Sequence, residues 1–434
     1  MSALAATFLA GAGSRLLPFS IPFRYFGAAV AFHVAAWLAA LAGSTSLPSF
    51  AGGLGWPLAA LHAVTLGVLA MAAIGASLQL LPVATRRPIA HTKLAAAIFW
   101  IYTPGVAALV AGMGLAVPGL LGAGALAVGC ALVAYVALLG MNLAGARGMP
   151  LVVAHGVVAA LSLAATLVSG GLLVAAYALG AGVDRQAFVP LHVVLAGYGF
   201  MGMLALGFSS VLVPMFALGP PPDARRAWAS FALAAGGLVL AAGAAFGLAP
   251  DVLGVAGAGA GAVAAILHVQ LMRESIARGL RKELGSGFTL VRLGWAAMIA
   301  SLGLAGALAW GVEWPRLATL FGAALVAGWL LSFVLGILVR VVPFLASMHA
   351  ARGHRRPPTP SSMTAVRPLR AHLMLHAAAL LLLAVAIVAD FAWLAAAAAA
   401  VGAAGALAYA AFFVNVIGHV RRAAATATPP GASP

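Results

Sequence analysis

LHAVTLGVLAMAAIGASLQLLP, residues 61–82, is an unbroken apolar run that opens on a histidine and closes on a proline. As a helix, about 20 such residues cross the ~30 Å hydrocarbon core of a bilayer. The pattern returns at residues 191–214 as LHVVLAGYGFMGMLALGFSSVLVP. Both copies begin Leu-His, place a glycine five residues after the histidine (Gly67, Gly197) and end in Gly-x6-Pro (Gly75 to Pro82, Gly207 to Pro214). A third copy ends GILVRVVP, Gly336 to Pro343, without a histidine. His62 stands 20 residues before its proline and His192 stands 22 before its own; counted back from Pro343, those positions hold Ala323 and Phe321.

Composition sets the class. Hydrophobic residues are 64% of the chain, charged residues 7%, and the mean hydropathy is +1.12. Too little charge exists to cover a water-soluble surface, so the chain reads as a polytopic membrane protein. Backbone groups in lipid must be satisfied internally, and the long Ala/Leu/Val/Gly runs lack the alternation of a barrel, so the spans are helices. Twelve are expected, at about 22–43, 57–83, 94–116, 118–143, 150–179, 188–216, 227–247, 250–272, 289–311, 316–345, 370–389 and 392–419. Residues 1–21 form a cytoplasmic segment with no charged start to mark a cleaved signal, and residues 422–434 are expected to be a disordered tail.

The formal charge of +16 is topological. With the N-terminus inside, all of the 23 Lys and Arg residues except Arg185 and Arg316 fall on the inner side. That positive-inside pattern puts both termini in the cytoplasm and argues against a nucleic-acid partner. The one cysteine, Cys130, excludes an intramolecular disulfide and a thiolate metal cage. Arginine far outnumbers lysine, which with the heavy Ala/Gly usage points to a GC-rich bacterial genome and an inner-membrane location.

Pro82, Pro214 and Pro343 recur about every 130 residues, so the unit is four helices, repeated three times in one orientation (about 22–145, 150–285 and 289–421). The fold expected is all-α, with twelve helices as three parallel four-helix repeats around a pseudo-threefold axis. Common twelve-helix transporters are instead two six-helix halves. Three units of four, with histidines near the outer end of the second and sixth spans, resembles the haem-copper oxidase subunit I superfamily and its degenerate NnrS-type relatives linked to nitric oxide. The resemblance covers the twelve spans and implies haem, a cytochrome or other membrane redox partner, and a role in respiratory electron transfer or nitric oxide handling. The chain departs from that family in its ligands. The sixth span has His-Val-Val-Leu-Ala, the seventh has no histidine, and the tenth has none before His349. A three-histidine copper site cannot be assembled there, which puts oxygen reduction in doubt.

The candidate haem ligands are His62 and His192, each about 6–8 Å inside the outer end of its helix. A neutral imidazole binds iron without carrying charge into lipid, and two at equal depth are able to clamp one haem b. The other reading is that each bonds a carbonyl while the nearby glycines serve close packing. His33, mid-span, is an alternative ligand or a neutral core residue. Arg185 and Arg316 are placed to pair with outward propionates, or to anchor the interface. His372 and His376 share a helix face, and with His91 they form a candidate second metal or haem site, with copper as the candidate metal, or a proton or quinol entry point.

Absences narrow the field. All seven acids lie in loops or at interfaces, which argues against proton pumping or symport. No phosphate loop, His-Glu-x-x-His or Cys-x-x-Cys-His motif occurs, and no catalytic residue is assigned. The expectation is an integral membrane haem-binding protein; the competing class is a non-redox transporter or scaffold with structural histidines.

Overall fold

The computed structural model describes residues 17–350 and 358–426. Residues 1–16 of the expected segment 1–21, His354 in the last basic loop and the tail from 427 lie outside them. Among the described residues there are twelve helices long and apolar enough to cross a membrane, and no strand. They are α1 Ser20–Ala42, α2 Trp56–Ala84, α3 Thr92–Gly114, α4 Pro118–Ala144, α5 Pro150–Ala178, α6 Arg185–Ala217, α7 Ala224–Ala245, α8 Pro250–Ala277, α9 Gly285–Ala309, α10 Leu317–Ala350, α11 Val366–Ala389 and α12 Ala392–Thr426. The chain is an all-α polytopic membrane protein.

Local chemistry sets many of the boundaries. Pro118, Pro150 and Pro250 open α4, α5 and α8, where a missing N–H costs nothing. The Asp184 carboxylate accepts the backbone N–H groups of Gln186 and Ala187 at the start of α6, and Asp223 does the same for Arg226 at α7. Several helices outrun their apolar stretches. α8 reaches Ala277, and near its end one guanidinium nitrogen of Arg226 donates to both carboxylate oxygens of Glu274, at 2.8 and 2.9 Å, which ties the polar ends of α7 and α8 together. α12 continues to Thr426, so residues 422–426 of the expected disordered tail are helical.

The repeat is visible in the packing. α3 with α4, α7 with α8, and α11 with α12 form three tight antiparallel pairs. Each unit's last helix packs on the next unit's first (α4 on α5, α8 on α9), and α12 on α1 closes the ring. α2, α6 and α10 are the most buried of the twelve and form the hub. Each hub helix widens into a π-helical turn over Ala63–Ala70, Leu195–Gly202 and Ala323–Leu331 respectively. A π turn displaces backbone carbonyls from the α ladder, and such turns concentrate at functional sites. Here the Leu66 carbonyl accepts the Tyr102 hydroxyl at 3.0 Å, and Ala327 accepts Ser332 at 3.2 Å.

The Gly-x6-Pro element also has a packing reason. A Cβ on Gly75 would come within 3.0 Å of Tyr25 and Phe26 on α1, and one on Gly207 within 2.7 Å of His155 on α5. One on Gly336 would come within 3.0 Å of Val291 on α9. In every unit the glycine is where the first helix crosses the hub helix, so only hydrogen fits. The prolines do not end the helices: α2 and α6 run a short way past theirs and α10 continues to Ala350.

Serines carry a related pattern between hub and periphery. Ser77, Ser209 and Ser332 each donate back to a carbonyl of their own helix. Each then accepts a hydrogen bond from a ring outside the hub. The donors are Tyr135 (2.6 Å), His268 (2.6 Å) and His376 (2.8 Å). In an apolar medium each such bond offsets a polar group that would otherwise be stranded.

Candidate functional site

A half-open apolar cavity of about 1610 Å³ occupies the end of the bundle where α2 and α6 begin, and the three π turns form its floor. It exceeds the ~300–1,000 Å³ of typical small-molecule sites. His62 and His192 both line it.

The hydrogen bonds decide how each ring is presented. His62 Nδ1 lies 3.0 Å from the Leu58 carbonyl. A carbonyl only accepts, so Nδ1 carries the proton and Nε2 keeps the lone pair. For His192 the partner is Ser169 on α5, 3.2 Å from Nδ1. The Ser169 hydroxyl donates to the Thr166 carbonyl at 3.1 Å, which leaves its oxygen to accept from Nδ1. Both imidazoles are therefore held by Nδ1 with Nε2 as the free donor atom, the arrangement a metal-ligating histidine takes. Gly170 lets the second ring sit there, since a Cβ on it would lie 2.9 Å from His192 Cε1.

The third wall is aromatic. Phe321, one of the two positions matching the histidines in the third repeat, stacks on Tyr198 with ring centroids 6.5 Å apart. Tyr198 also packs against Trp329 at 5.4 Å and donates its hydroxyl to Ser301 at 2.9 Å. Ala323, the other matching position, lines the cavity as well. Neither offers a ligand atom.

The two expected arginines separate. Arg185 lines the cavity, donates to the Tyr177 hydroxyl and lies over that ring at 4.8 Å. Arg316 is not among the lining residues and pairs with Asp390 across 3.0 Å. Its expected role beside the histidines is corrected: its charge is already matched by a neighbour's carboxylate.

His33 is also corrected as an alternative ligand at this site. It is fully buried and absent from the cavity wall, and its Nε2 accepts the Trp37 indole N–H at 3.3 Å. It stands instead in a buried cluster with His372 and His376, at ring separations of 5.9 Å (His33–His372) and 5.4 Å (His372–His376). Tyr409 packs on His372 at 4.8 Å. His372 Nδ1 donates to the Gly405 carbonyl at 2.9 Å. By the same reasoning His33 Nδ1 is a donor and His372 Nε2 an acceptor, and both are buried without a partner.

The expected His91/His372/His376 metal group does not form. His91 is exposed at the start of α3, which packs on α1, α2 and α4, while His372 and His376 are buried where α11 meets α1, α10 and α12. Among the described residues no three His, Cys, Asp or Glu side chains are placed to hold a metal ion. The donor set does not fit a copper centre of that kind.

Sequence reasoning missed Ser169, Gly170, Tyr198 and Trp37. The Ser-Gly-Gly run at 169–171, inside an apolar span, is the signal that points to the first two. Compared with protein-family models and with curated proteins, the chain matches none.

Proposed function

We propose that the chain is an integral membrane haem-binding protein, related in plan to a haem-copper oxidase core subunit, serving respiratory electron transfer or nitric oxide handling. The observation that carries this reading is the pair His62 and His192. Two imidazoles anchored through Nδ1, each keeping a lone pair on Nε2, line one apolar cavity. Haem b, held by His62 and His192, would supply reversible one-electron exchange.

What the chain contributes is orientation and exclusion of water. Leu58 and Ser169 fix the two rings and raise their basicity as ligands. Arg185 supplies a cation at the cavity for a propionate, with Tyr177 holding its guanidinium. The apolar wall suits the hydrocarbon faces of a porphyrin better than a hydrated ion. The same reading places the basic loops and both termini in the cytoplasm of a bacterial cell, with the two histidines near the outer face.

The test is the visible spectrum of detergent-purified protein. A Soret band with sharp α and β bands on reduction is expected, and His62→Ala and His192→Ala should each abolish the low-spin signature in folded protein. A colourless preparation, or spectra unchanged in both variants, would overturn the assignment and favour a non-redox transporter or scaffold.

A further inference from the structure

The threefold plan creates three equivalent seams, α4/α5, α8/α9 and α12/α1, and the structure closes only two. At α8/α9, a Cβ on Gly254 would lie 2.8 Å from Ala309 Cβ, and one on Gly261 would lie 2.9 Å from Leu302. At α12/α1, one on Gly402 would run into the Trp37 ring. The α4/α5 seam is different. Cβ atoms on Gly129 and Gly171 would meet nothing within 4 Å, and one on Gly122 would meet only Ala178, at 3.9 Å. The same two helices are tight at their other end, where a Cβ on Gly156 would lie 3.0 Å from Leu143. They touch there and splay toward the cavity.

The gap connects two apolar surfaces. Gly122, Gly129 and Gly171 all line the cavity, and Gly170 beside them lies against the His192 ring. At the opening itself, Leu126 and Val133 of α4 line the cavity while remaining 70% and 60% exposed, and beyond it Leu161 (67%) and Val168 (65%) of α5 are exposed without lining it. A surface of that kind is covered by lipid tails, and a polar solute would find no partner on it.

We propose that the α4/α5 seam is a lateral portal through which the acyl chain of a membrane lipid enters the cavity and reaches the His192 wall. The occupant follows from what surrounds the opening, an unobstructed apolar slot facing hydrocarbon. The proposal stands on the seam geometry and does not rest on haem binding.

Photo-crosslinking tests it. The full chain is reconstituted in phosphatidylcholine vesicles carrying a diazirine partway along one acyl chain, irradiated, and mapped by mass spectrometry. Adducts are expected on the hub residues Tyr198 and Leu325, inside the cavity, as well as on the outward Leu161 and Val168. In Gly129→Leu/Gly171→Leu the interior adducts should fall at least several-fold while the outward ones persist. Adducts confined to the outer faces of the wild type, or interior adducts unaffected by filling the seam, would overturn the portal. The wild-type comparison of inner with outer residues decides the matter even where the double variant fails to fold.

Discussion

Gly170 lies directly against the ring of His192, with room for hydrogen and no more: a Cβ there would sit 2.9 Å from Cε1 and 3.3 Å from Nδ1. The ring's position is thus set by a missing side chain on a neighbouring helix. Gly170→Ala should displace the imidazole from its Ser169 contact. The expected result is loss or a shift of the low-spin haem spectrum at a stability cost of about 1–3 kcal/mol, measured by absorbance and thermal melting in detergent. An unshifted spectrum would show that His192 is not a ligand or that the ring tolerates the move.

Ser169→Ala removes the acceptor that fixes His192 Nδ1–H. Losing a partner of this kind typically weakens a metal-ligand histidine by roughly 10–100-fold. Haem retention during transfer to apomyoglobin should fall by that order, with expression unchanged. Equal retention in wild type and variant would remove Ser169 from the site.

The two arginines at this end should behave differently. Arg185→Gln is expected to weaken haem retention, because it takes the cation from the cavity wall. Arg316→Gln breaks a partly exposed pair with Asp390, worth about 0–1 kcal/mol, and should leave the spectrum as it was. The reverse ranking in a haem-transfer assay would contradict the placement of the two side chains.

His268 and Ser209 form a buried link between α8 and the hub, 2.6 Å from nitrogen to oxygen. Ser209→Ala strands the His268 N–H in apolar surroundings and should cost about 1–3 kcal/mol. Adding His268→Leu should recover much of that loss, since removing both partners is far cheaper than removing one. A double variant no more stable than Ser209→Ala alone would show that the bond is not what the histidine contributes.

Ring closure depends on Gly402, which admits the Trp37 indole between α12 and α1. Gly402→Val should lower the melting temperature through overpacking of about 1–3 kcal/mol and disturb the Trp37–His33 hydrogen bond. A neutral melt would mean the seam can open without penalty.

Fold class, twelve spans and the three-unit repeat were legible in the sequence because lipid imposes them locally. Each span must satisfy its own backbone and be apolar along its length, so hydropathy and the spacing of Pro82, Pro214 and Pro343 suffice. The equivalent places of His62 and His192 in their units were legible from the repeat as well, and both line the cavity. What the sequence could not settle was which other side chains converge. His33, at one end of the chain, meets His372 of the His372/His376 pair near the other because α12 closes the ring on α1, whereas His91, in the same unit as His33, stays exposed at the start of α3. Arg316 is matched by Asp390 across a loop. The open α4/α5 seam is likewise a tertiary result: three sets of small residues occupy equivalent seams, and only the angle at which helices meet decides which set leaves a gap.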